Sequence, residues 1–374
     1  MVSYIFMKIA FIGQKGIPAQ TGGVEKQVEE FLVHLAARQQ DIYAYARRGY
    51  ADNLKEYKGI KLITLPFIKG KNVEAISHTL LAVLHSAFYK FDIIHFQSIG
   101  PASLLWLAKL LHPRTPIVFT FHCQDYYHKK WGFLARWYLK LGESVGCRLA
   151  DQTLITSQAL TNYTAARYNN SPLYMPSGIN QASLLPANEI KQWGLEKDNY
   201  IFAASRLVRH KGLHYLIESY KSLNLDKKLV IAGDGAYTDD YVQELKDLAA
   251  DNNIIFVGNQ RDSVLSELYT NAYLFVQPSE YEGLSMGLLE AMSYGLPCLV
   301  SDIPSNLEGT NGLGLSFQNK DVSDLSNKLQ YACQHSEELK NQGLALQERT
   351  RQEYDWNRIV DNTLSVYQDL LNEK

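Results

Sequence analysis

The chain has 374 residues, of which 46% are hydrophobic and 20% are charged, and its formal net charge is −2. This composition is typical of a globular protein and excludes disordered, collagen-like and disulfide-stapled classes. Two domains are expected, since one domain usually takes about 100–200 residues. The four cysteines are scattered, with no histidine at zinc-ligand spacing, so neither a disulfide framework nor a structural metal site is predicted.

The charge is unevenly distributed between the two halves of the chain. Residues 1–180 contain 20 Lys and Arg against 11 Asp and Glu, whereas residues 181–374 contain 17 against 28. The asymmetry either reflects chance and surface solubility, or predicts that the first half meets an anionic surface. Because no nucleic-acid-binding motif is present, we favour phospholipid over nucleic acid. The scattered cysteines fit a reducing, cytoplasmic setting, and neither a signal peptide nor a membrane-spanning segment is predicted.

The first half alternates strand-like and helix-like patterns. An apolar run at 7–13 predicts a strand, and a loop then leads to a helix with a stripe of Val28, Phe31, Leu32 and Leu35. Further strands are predicted at 93–96, 117–121 and 152–156.

The second half repeats this alternation. A strand at 200–204 precedes a loop and a helical stripe that starts at Leu213. Later strands are predicted at 228–232, 254–257, 274–276 and 298–301. Strands alternating with helices form parallel sheets with helices on both faces, so the fold class is α/β with two Rossmann-like domains. The aperiodic stretch 175–187 sets their boundary, which gives domains of 1–180 and 181–355 and leaves a final helix at 356–371.

Two features of the first domain could carry chemistry. Gly22 and Gly23 lie directly before a helix, at the carboxyl end of the first strand, where open α/β sheets bind ligands and free amides suit a phosphate. Their spacing is not G-x-G-x-x-G, which disfavours a nicotinamide dehydrogenase. The alternative is a turn that only makes room for packing. His122 follows the strand 117–121 and is either a ligand-facing or a structural histidine.

The loop after the strand 200–204 contains Arg206 and Lys211. A guanidinium and an ammonium at a strand-to-helix turn could bind a diphosphate and offset charge on a leaving phosphate. The alternative is a pair of solvated surface cations.

A third motif lies after the strand 274–276. Glu282 occupies a loop and Glu290 the helix predicted at 285–294, and the backward tilt of helical side chains could bring both to one crevice. Amides around Gly283, Leu284 and Ser285 could meet a phosphate there. The alternative is two surface acids.

Taken together, the chain resembles the retaining glycosyltransferases of family 4, whose GT-B architecture has two Rossmann-like domains facing across a cleft. The resemblance rests on the loop with Gly22 and Gly23, the pair Arg206 and Lys211, the spacing Glu282-x7-Glu290, and His122. It implies that the C-terminal helix 356–371 packs back onto the first domain.

The resemblance also implies a reaction: retaining transfer of a sugar from a nucleotide diphosphate sugar to a glycan or lipid-linked acceptor in bacterial surface polysaccharide synthesis. Arg206 and Lys211 would bind the diphosphate, Glu290 the ribose, and Glu282 and His122 the donor sugar, with amides around Gly23 supporting the phosphates. No Asp-x-Asp triplet is present, so no metal and no cofactor are expected.

Two alternatives stay open for the reaction: a sugar-nucleotide 2-epimerase, which would not need the Glu282-x7-Glu290 spacing, and a non-catalytic nucleotide-sugar-binding subunit. The segment 129–149 combines aromatic and basic side chains. It is either a core-packing helix with a solvated face or a peripheral contact with anionic membrane, which would suit a lipid-linked acceptor.

Overall fold

The protein consists of two β-sheets with flanking helices. The computed structural model describes residues 5–19, 23–50, 54–70, 73–127, 131–235, 238–250 and 253–373. The chain divides into two units. Unit 1 comprises Met1–Gly178 and Trp356–Lys374, and unit 2 comprises Ile179–Asp355. The first division lies within the stretch 175–187, whose prolines and lack of periodicity mark a connection.

The strands of unit 1 are β1 Lys8–Ile12, β2 Asp41–Arg47, β3 Glu56–Tyr57, β4 Ile60–Leu65, β5 Ile93–Gln97, β6 Ile117–Phe121, β7 Gln152–Ile155 and β8 Leu173–Tyr174. They form one sheet in the order β3-β4-β2-β1-β5-β6-β7-β8. Neighbouring strands are parallel, apart from the short β3, which pairs antiparallel with β4. Because β1 lies between β2 and β5, the chain winds in opposite directions from it, and the loop after β1 sits where such sheets bind ligands.

The helices of unit 1 are α1 Gly23–Ala37, α2 Glu74–Ser86, α3 Ile99–Ala102, α4 Leu105–Leu111, α5 Phe133–Leu149, α6 Gln158–Tyr168 and, from the end of the chain, α14 Trp356–Asn372. Side chains alternate across β1, as the period of a strand requires. Ile9 and Phe11 enter a core that α1 and α14 cover, while Ala10 and Ile12 enter a second core beneath α2, α3, α4 and α5.

The final helix α14 belongs to unit 1 through its apolar face. Trp356 stacks on Phe31, with ring centroids 6.2 Å apart, and on His34, at 5.5 Å. Further along the helix, the Tyr367 hydroxyl lies 2.5 Å from Nδ1 of His95, a buried residue of β5. A helix that is distant in sequence thereby completes the core on one side of this sheet.

The strands of unit 2 are β9 Tyr200–Ala204, β10 Lys228–Ala232, β11 Ile254–Gly258, β12 Leu274–Gln277, β13 Cys298–Ser301 and β14 Leu315–Phe317. They are all parallel, in the order β11-β10-β9-β12-β13-β14. The helices are α7 Leu213–Lys221, α8 Asp239–Leu248, α9 Asp262–Asn271, α10 Met286–Ser293, α11 Pro304–Thr310, α12 Val322–Gln334 and α13 Ser336–Glu353.

Side chains along β9 again alternate between two hydrophobic cores, one on each side of the sheet. Tyr200 and Phe202 pack on one side of the sheet, and Ile201 and Ala203 on the other. Both sheets are therefore parallel, apart from β3, and covered on both faces, which confirms the predicted α/β class with two Rossmann-like domains. No helix in the described ranges has the length and apolar composition needed to cross a bilayer.

Candidate functional site

The first part of the candidate site lies in unit 2, where the loops after β9 and β12 adjoin. The Glu280 amide donates to the His210 carbonyl at 2.8 Å, and the rings of His210 and Tyr281 stack with centroids 4.6 Å apart. Gly212 has a φ of +70°, and a Cβ there would lie 1.8 Å from the Pro278 carbonyl oxygen. Glycine is required at this position because the two loops approach so closely.

Lys211 and Glu282 meet where these loops touch. The Lys211 ammonium forms an ion pair and a hydrogen bond with Oε1 of Glu282, and the two side chains are only 12% and 14% exposed. The same oxygen accepts from Gln277 Nε2 and from Ser279 Oγ, each at 3.2 Å. The carboxylate is thereby held by charge-assisted hydrogen bonds in a partly desolvated position.

Gln277 and Ser279 are site residues that the sequence reasoning missed. Gln277 is the last residue of β12, and its Nε2 also donates to Ser279 Oγ at 2.7 Å. Both side chains are buried. Their position at the end of a buried strand, just before an acidic loop, is the signal that could have identified them.

Arg206 lies on the same edge of the sheet, directly after β9. Its side chain is exposed and has no ion-pair partner among the described residues. The backbone around it is fixed, because the Leu207 amide donates to the Asp234 carbonyl at 2.8 Å. Gly233 has a φ of +140°, and a Cβ there would lie 1.8 Å from the Ser205 carbonyl oxygen. An exposed guanidinium on a fixed backbone turn, with no ion-pair partner among the described residues, is suited to bind an anion.

Glu290 lies in α10 and has a different partner from Glu282. Its Oε2 accepts from the Tyr269 hydroxyl at 3.1 Å. Burial, reinforced by the negative charge of Glu290, raises the pKa of Tyr269 well above its usual value, so the phenol remains a neutral donor. Tyr269 also stacks on Tyr294, with centroids 5.3 Å apart. The structure thus holds the two acids separately, one through a lysine and one through a tyrosine.

The start of α10 offers backbone donors. Leu284 and Ser285 are buried, Gly283 is partly buried, and Ser285 is the N-cap of the helix. The first amides of a helix have no partner within the helix and carry its positive dipole end. These amides could donate hydrogen bonds to an oxyanion, as the sequence predicted for this segment.

In unit 1, the loop with Gly22 and Gly23 is only partly within the described residues. Gly22 lies outside the described residues, and Gly23 is the exposed first residue of α1. The preceding loop is anchored to α1, since the Ala19 amide donates to Glu29 Oε2 at 2.5 Å. Lys15, in the same loop, lies 3.5 Å from the Glu25 carboxylate. The start of α1 therefore lies at the carboxyl end of β1, where its amides could bind a phosphate.

His122 follows β6 and is buried. Its Nε2 lies 2.8 Å from Gln97 Oε1, so we assign the ring proton to Nε2. Its Nδ1 has no hydrogen-bond partner among the described residues. Burial lowers the pKa of His122 to about 4, against a smaller opposing effect of Asp125. A neutral ring in this tautomer presents Nδ1 as a hydrogen-bond acceptor.

A second buried histidine, His95, supports this region and was also missed by the sequence reasoning. Its Nε2 lies 2.6 Å from Thr120 Oγ1, and its Nδ1 contacts Tyr367 of α14. Burial lowers the pKa of His95 to about 3, with a smaller contribution from His122. Nothing in the described ranges groups His, Cys, Asp and Glu side chains in a way that could hold a metal ion.

The two halves of the chain match two glycosyltransferase families. The family described as Glycosyltransferase Family 4 matches residues 21–181, and the family described as Glycosyl transferases group 1 matches residues 187–349. The two matches lie side by side and together cover most of the chain, one for each Rossmann-like domain.

Individual proteins agree with these matches. The chain is 29% identical over 292 residues to sulfoquinovosyl transferase SQD2 of Arabidopsis thaliana, which covers 72% of this chain and 55% of that protein. It is 24% identical over 276 residues to the O-antigen biosynthesis glycosyltransferase WclY of Escherichia coli, which covers 70% of this chain and 75% of that protein. The present chain thus spans just over half the length of the plant relative.

A solved structure shares the fold. Anabaena Alr3699/HepE in complex with UDP-glucose superposes with a TM-score of 0.79 at 20% sequence identity, covering 96% of this chain and 100% of that chain. The predicted GT-B class is therefore confirmed. From the two family matches, over residues 21–181 and 187–349, we conclude that the chain belongs to the family 4 glycosyltransferases.

Proposed function

We propose that this chain transfers a sugar from a nucleotide diphosphate sugar to a glycan or lipid-linked acceptor, with retention of the anomeric configuration. The observation that carries the proposal is the partly buried pair of Lys211 and Glu282, held where the loops after β9 and β12 touch. An ammonium and a carboxylate side by side suit a ligand with both anionic oxygens and hydroxyl groups, as an activated sugar has.

The cations act on the leaving group. When the bond between C1 of the sugar and the phosphate oxygen breaks, negative charge develops on the nucleoside diphosphate. Arg206 and Lys211 stabilise that charge, together with the amides at the start of α10. An ammonium has three N–H donors, so Lys211 can hold Glu282 and a phosphate oxygen at the same time. These positive charges supply what a metal would, and we therefore propose a reaction without metal or cofactor.

The acids act on hydroxyl groups. Glu282 accepts from hydroxyls of the donor sugar, and the adjacent Lys211 offsets the repulsion between its carboxylate and the diphosphate. Glu290 accepts from the ribose hydroxyls, with its carboxylate oriented by Tyr269. His122 contributes a neutral acceptor, Nδ1, to a substrate hydroxyl. These contacts position the donor for reaction.

The anomeric configuration is retained because the acceptor attacks C1 of the sugar on the same face from which the diphosphate departs. The acceptor oxygen forms a bond to C1 as the bond from C1 to the phosphate oxygen breaks, and the acceptor proton passes to that departing oxygen. Positive charge on the sugar ring in this step is balanced by the nearby diphosphate. The products are the glycosylated acceptor and a free nucleoside diphosphate. The relative WclY, named for O-antigen biosynthesis, supports an acceptor in bacterial surface polysaccharide synthesis.

The test begins with a panel of nucleotide sugars screened by thermal shift on the full chain. Donors that bind are then incubated with glycan and lipid-linked acceptors, with and without EDTA, and the anomeric configuration of the product is read by NMR. Retained configuration and insensitivity to EDTA support the proposal, whereas inversion or a strict metal requirement contradicts it. An epimerised donor would identify a 2-epimerase, and binding without turnover would identify a non-catalytic subunit.

A further inference from the structure

One side of unit 1 exposes large apolar side chains. The described residues Phe88, Trp106, Leu110, Phe133, Leu134 and Trp137 are 86%, 50%, 70%, 83%, 78% and 61% exposed. We call this set the apolar helix face. Phe88 follows α2, Trp106 and Leu110 lie in α4, and the others lie in α5.

These residues share one surface because their helices share one layer. The inner faces of α2, α4 and α5 all enter the same core on one side of the sheet, and α4 contacts both α2 and α5. The outward stripes therefore adjoin. The helices α1 and α14, which are fully described and cover the other side, carry none of the exposed large apolar side chains. Among the described helices that cover this sheet, those with exposed large apolar side chains therefore lie on one side, whereas Ile5, Phe6 and Ile68 are exposed outside the helices.

The packing of α5 explains why its aromatic residues point outward. Its inner surface carries Gly142 and Gly146, where a Cβ would lie 1.9 Å from the Ile99 carbonyl oxygen and 2.6 Å from the Phe119 ring. Small residues therefore make the contact with the sheet and α3. The helix packs in the core through Leu139 and Cys147, while Phe133 and Trp137 lie on its exposed face.

The charged residues near the apolar helix face indicate what kind of partner binds it. From the start of α2 at Glu74 to Asp151, which pairs with Lys109, the sequence has eight Lys and Arg and five Asp and Glu. Arg136 and Lys140 are exposed among the apolar residues of α5, whereas the acid of that helix, Glu143, is buried. Two copies of the face docked on each other would bring like charges together, whereas an anionic bilayer complements both the cations and the apolar side chains. Tryptophan is also a residue favoured at membrane interfaces.

We propose that the apolar helix face docks onto the surface of an anionic phospholipid bilayer as a monotopic contact made by three helices. Phe88, Leu110, Phe133 and Leu134 enter the boundary between headgroups and acyl chains, and Trp106 and Trp137 lie at the interface. Arg136 and Lys140 contact lipid phosphates. The proposal does not depend on the sugar-transfer reaction, because binding to a bilayer is measured without donor or acceptor.

The experiment is vesicle co-sedimentation of the full chain with phosphatidylcholine, alone and mixed with phosphatidylglycerol. We expect binding to the mixed vesicles that weakens at high salt. The variant Phe133→Ser/Trp137→Ser should lower the partition coefficient about tenfold or more, and Arg136→Glu/Lys140→Glu should lower it several-fold. The matched control is Leu184→Ser/Leu344→Ser, which removes exposed leucines of unit 2 and should not change binding.

A second readout locates the contact. Bilayers with brominated acyl chains should quench tryptophan fluorescence, and Trp106→Phe/Trp137→Phe should keep binding but lose most of the quenching. The remaining tryptophans are less accessible, since Trp356 is buried and Trp131 and Trp193 are partly buried against the cores of the two units. Circular dichroism identifies misfolded variants, which are then replaced by single substitutions at the same positions. Equal binding of wild type and Phe133→Ser/Trp137→Ser, or a dimer through this face without vesicle binding, would overturn the proposal.

Discussion

At the scale of single residues, the candidate site depends on the pairing of Lys211 with Glu282. The two are 71 positions apart, and each is an ordinary charged residue in its local sequence. The pair forms because Gly212 lets the loop after β9 meet the loop after β12. Gln277 and Ser279 then donate hydrogen bonds to the Glu282 carboxylate. The sequence predicted both charged residues, but their shared geometry depends on two strands being neighbours.

The first prediction concerns Glu282. The substitution Glu282→Gln keeps the shape of the side chain but removes its charge, so it should lower kcat/KM for the donor by about a hundredfold or more. The matched control is Glu280→Gln in the same loop, whose carboxylate pairs with Lys320 at 3.0 Å. Steady-state kinetics of both variants check the prediction. Equal losses in the two variants would show that loop structure, and not the Glu282 charge, is responsible.

The second prediction concerns buried histidines. Burial lowers the pKa of His78 and of His122 to about 4 and of His95 to about 3, from 6.5. Below about pH 6.5 the unfolded chain therefore binds protons that the folded chain does not. The free energy of unfolding should fall as the pH is lowered from about 6.5 towards 4, and the contribution of these groups is fully present above 6.5.

Urea unfolding across this pH range measures the effect. The variant His78→Gln removes one titrating group and should reduce the pH slope by up to about one proton. An unchanged slope would contradict a depressed pKa at His78. The neutral state of His122 also predicts that its protonation causes no change in donor turnover between pH 6 and 8.

At the scale of elements, α14 shows most clearly what the sequence pattern predicts and what the tertiary packing adds. The periodicity of its apolar residues predicts a helix, and packing assigns its face to the core of unit 1, with Trp356 against Phe31 and Tyr367 against His95. The strands that were not predicted include β2 and β4, which are seven and six residues long, and the short β3, β8 and β14. The last three are edge strands, in which pairing with a neighbour outweighs the local pattern, and β2 and β4 form the ladder next to β3.

The third prediction tests the attachment of α14. Tyr367→Phe removes the hydroxyl that contacts Nδ1 of buried His95, so it should lower the free energy of unfolding by about 1–3 kcal/mol. The control is Tyr331→Phe, whose hydroxyl bonds to Glu338 at the surface and should change stability by less than about 0.5 kcal/mol. Chemical denaturation of both variants measures the difference. Equal effects would show that the buried contact contributes nothing beyond a surface hydrogen bond.

At the scale of the whole molecule, the residues proposed to bind the diphosphate lie mainly in unit 2. The fourth prediction is that a nucleoside diphosphate slows amide hydrogen exchange of the full chain most strongly at 205–212 and 278–293. The exchange of α5 should not change, because the apolar helix face is unrelated to donor binding. Mass spectrometry with uridine, guanosine and adenosine diphosphates measures this and ranks the nucleotides. Protection confined to unit 1 would contradict the proposed roles of Arg206, Lys211 and Glu290.

The sequence by itself determined the α/β class, the strands β1, β5, β6 and β7 of the first sheet, most strands of the second sheet, the helix at the end of the chain and the charged residues of the candidate site. Strand and helix patterns are local, since they follow from side-chain periodicity over a few turns. Only the tertiary structure decided that Lys211 pairs with Glu282, that Tyr269 holds Glu290, and that Phe133 and Trp137 are exposed. Contact and exposure depend on which strands and helices become neighbours, and that is set by packing between segments far apart in the chain.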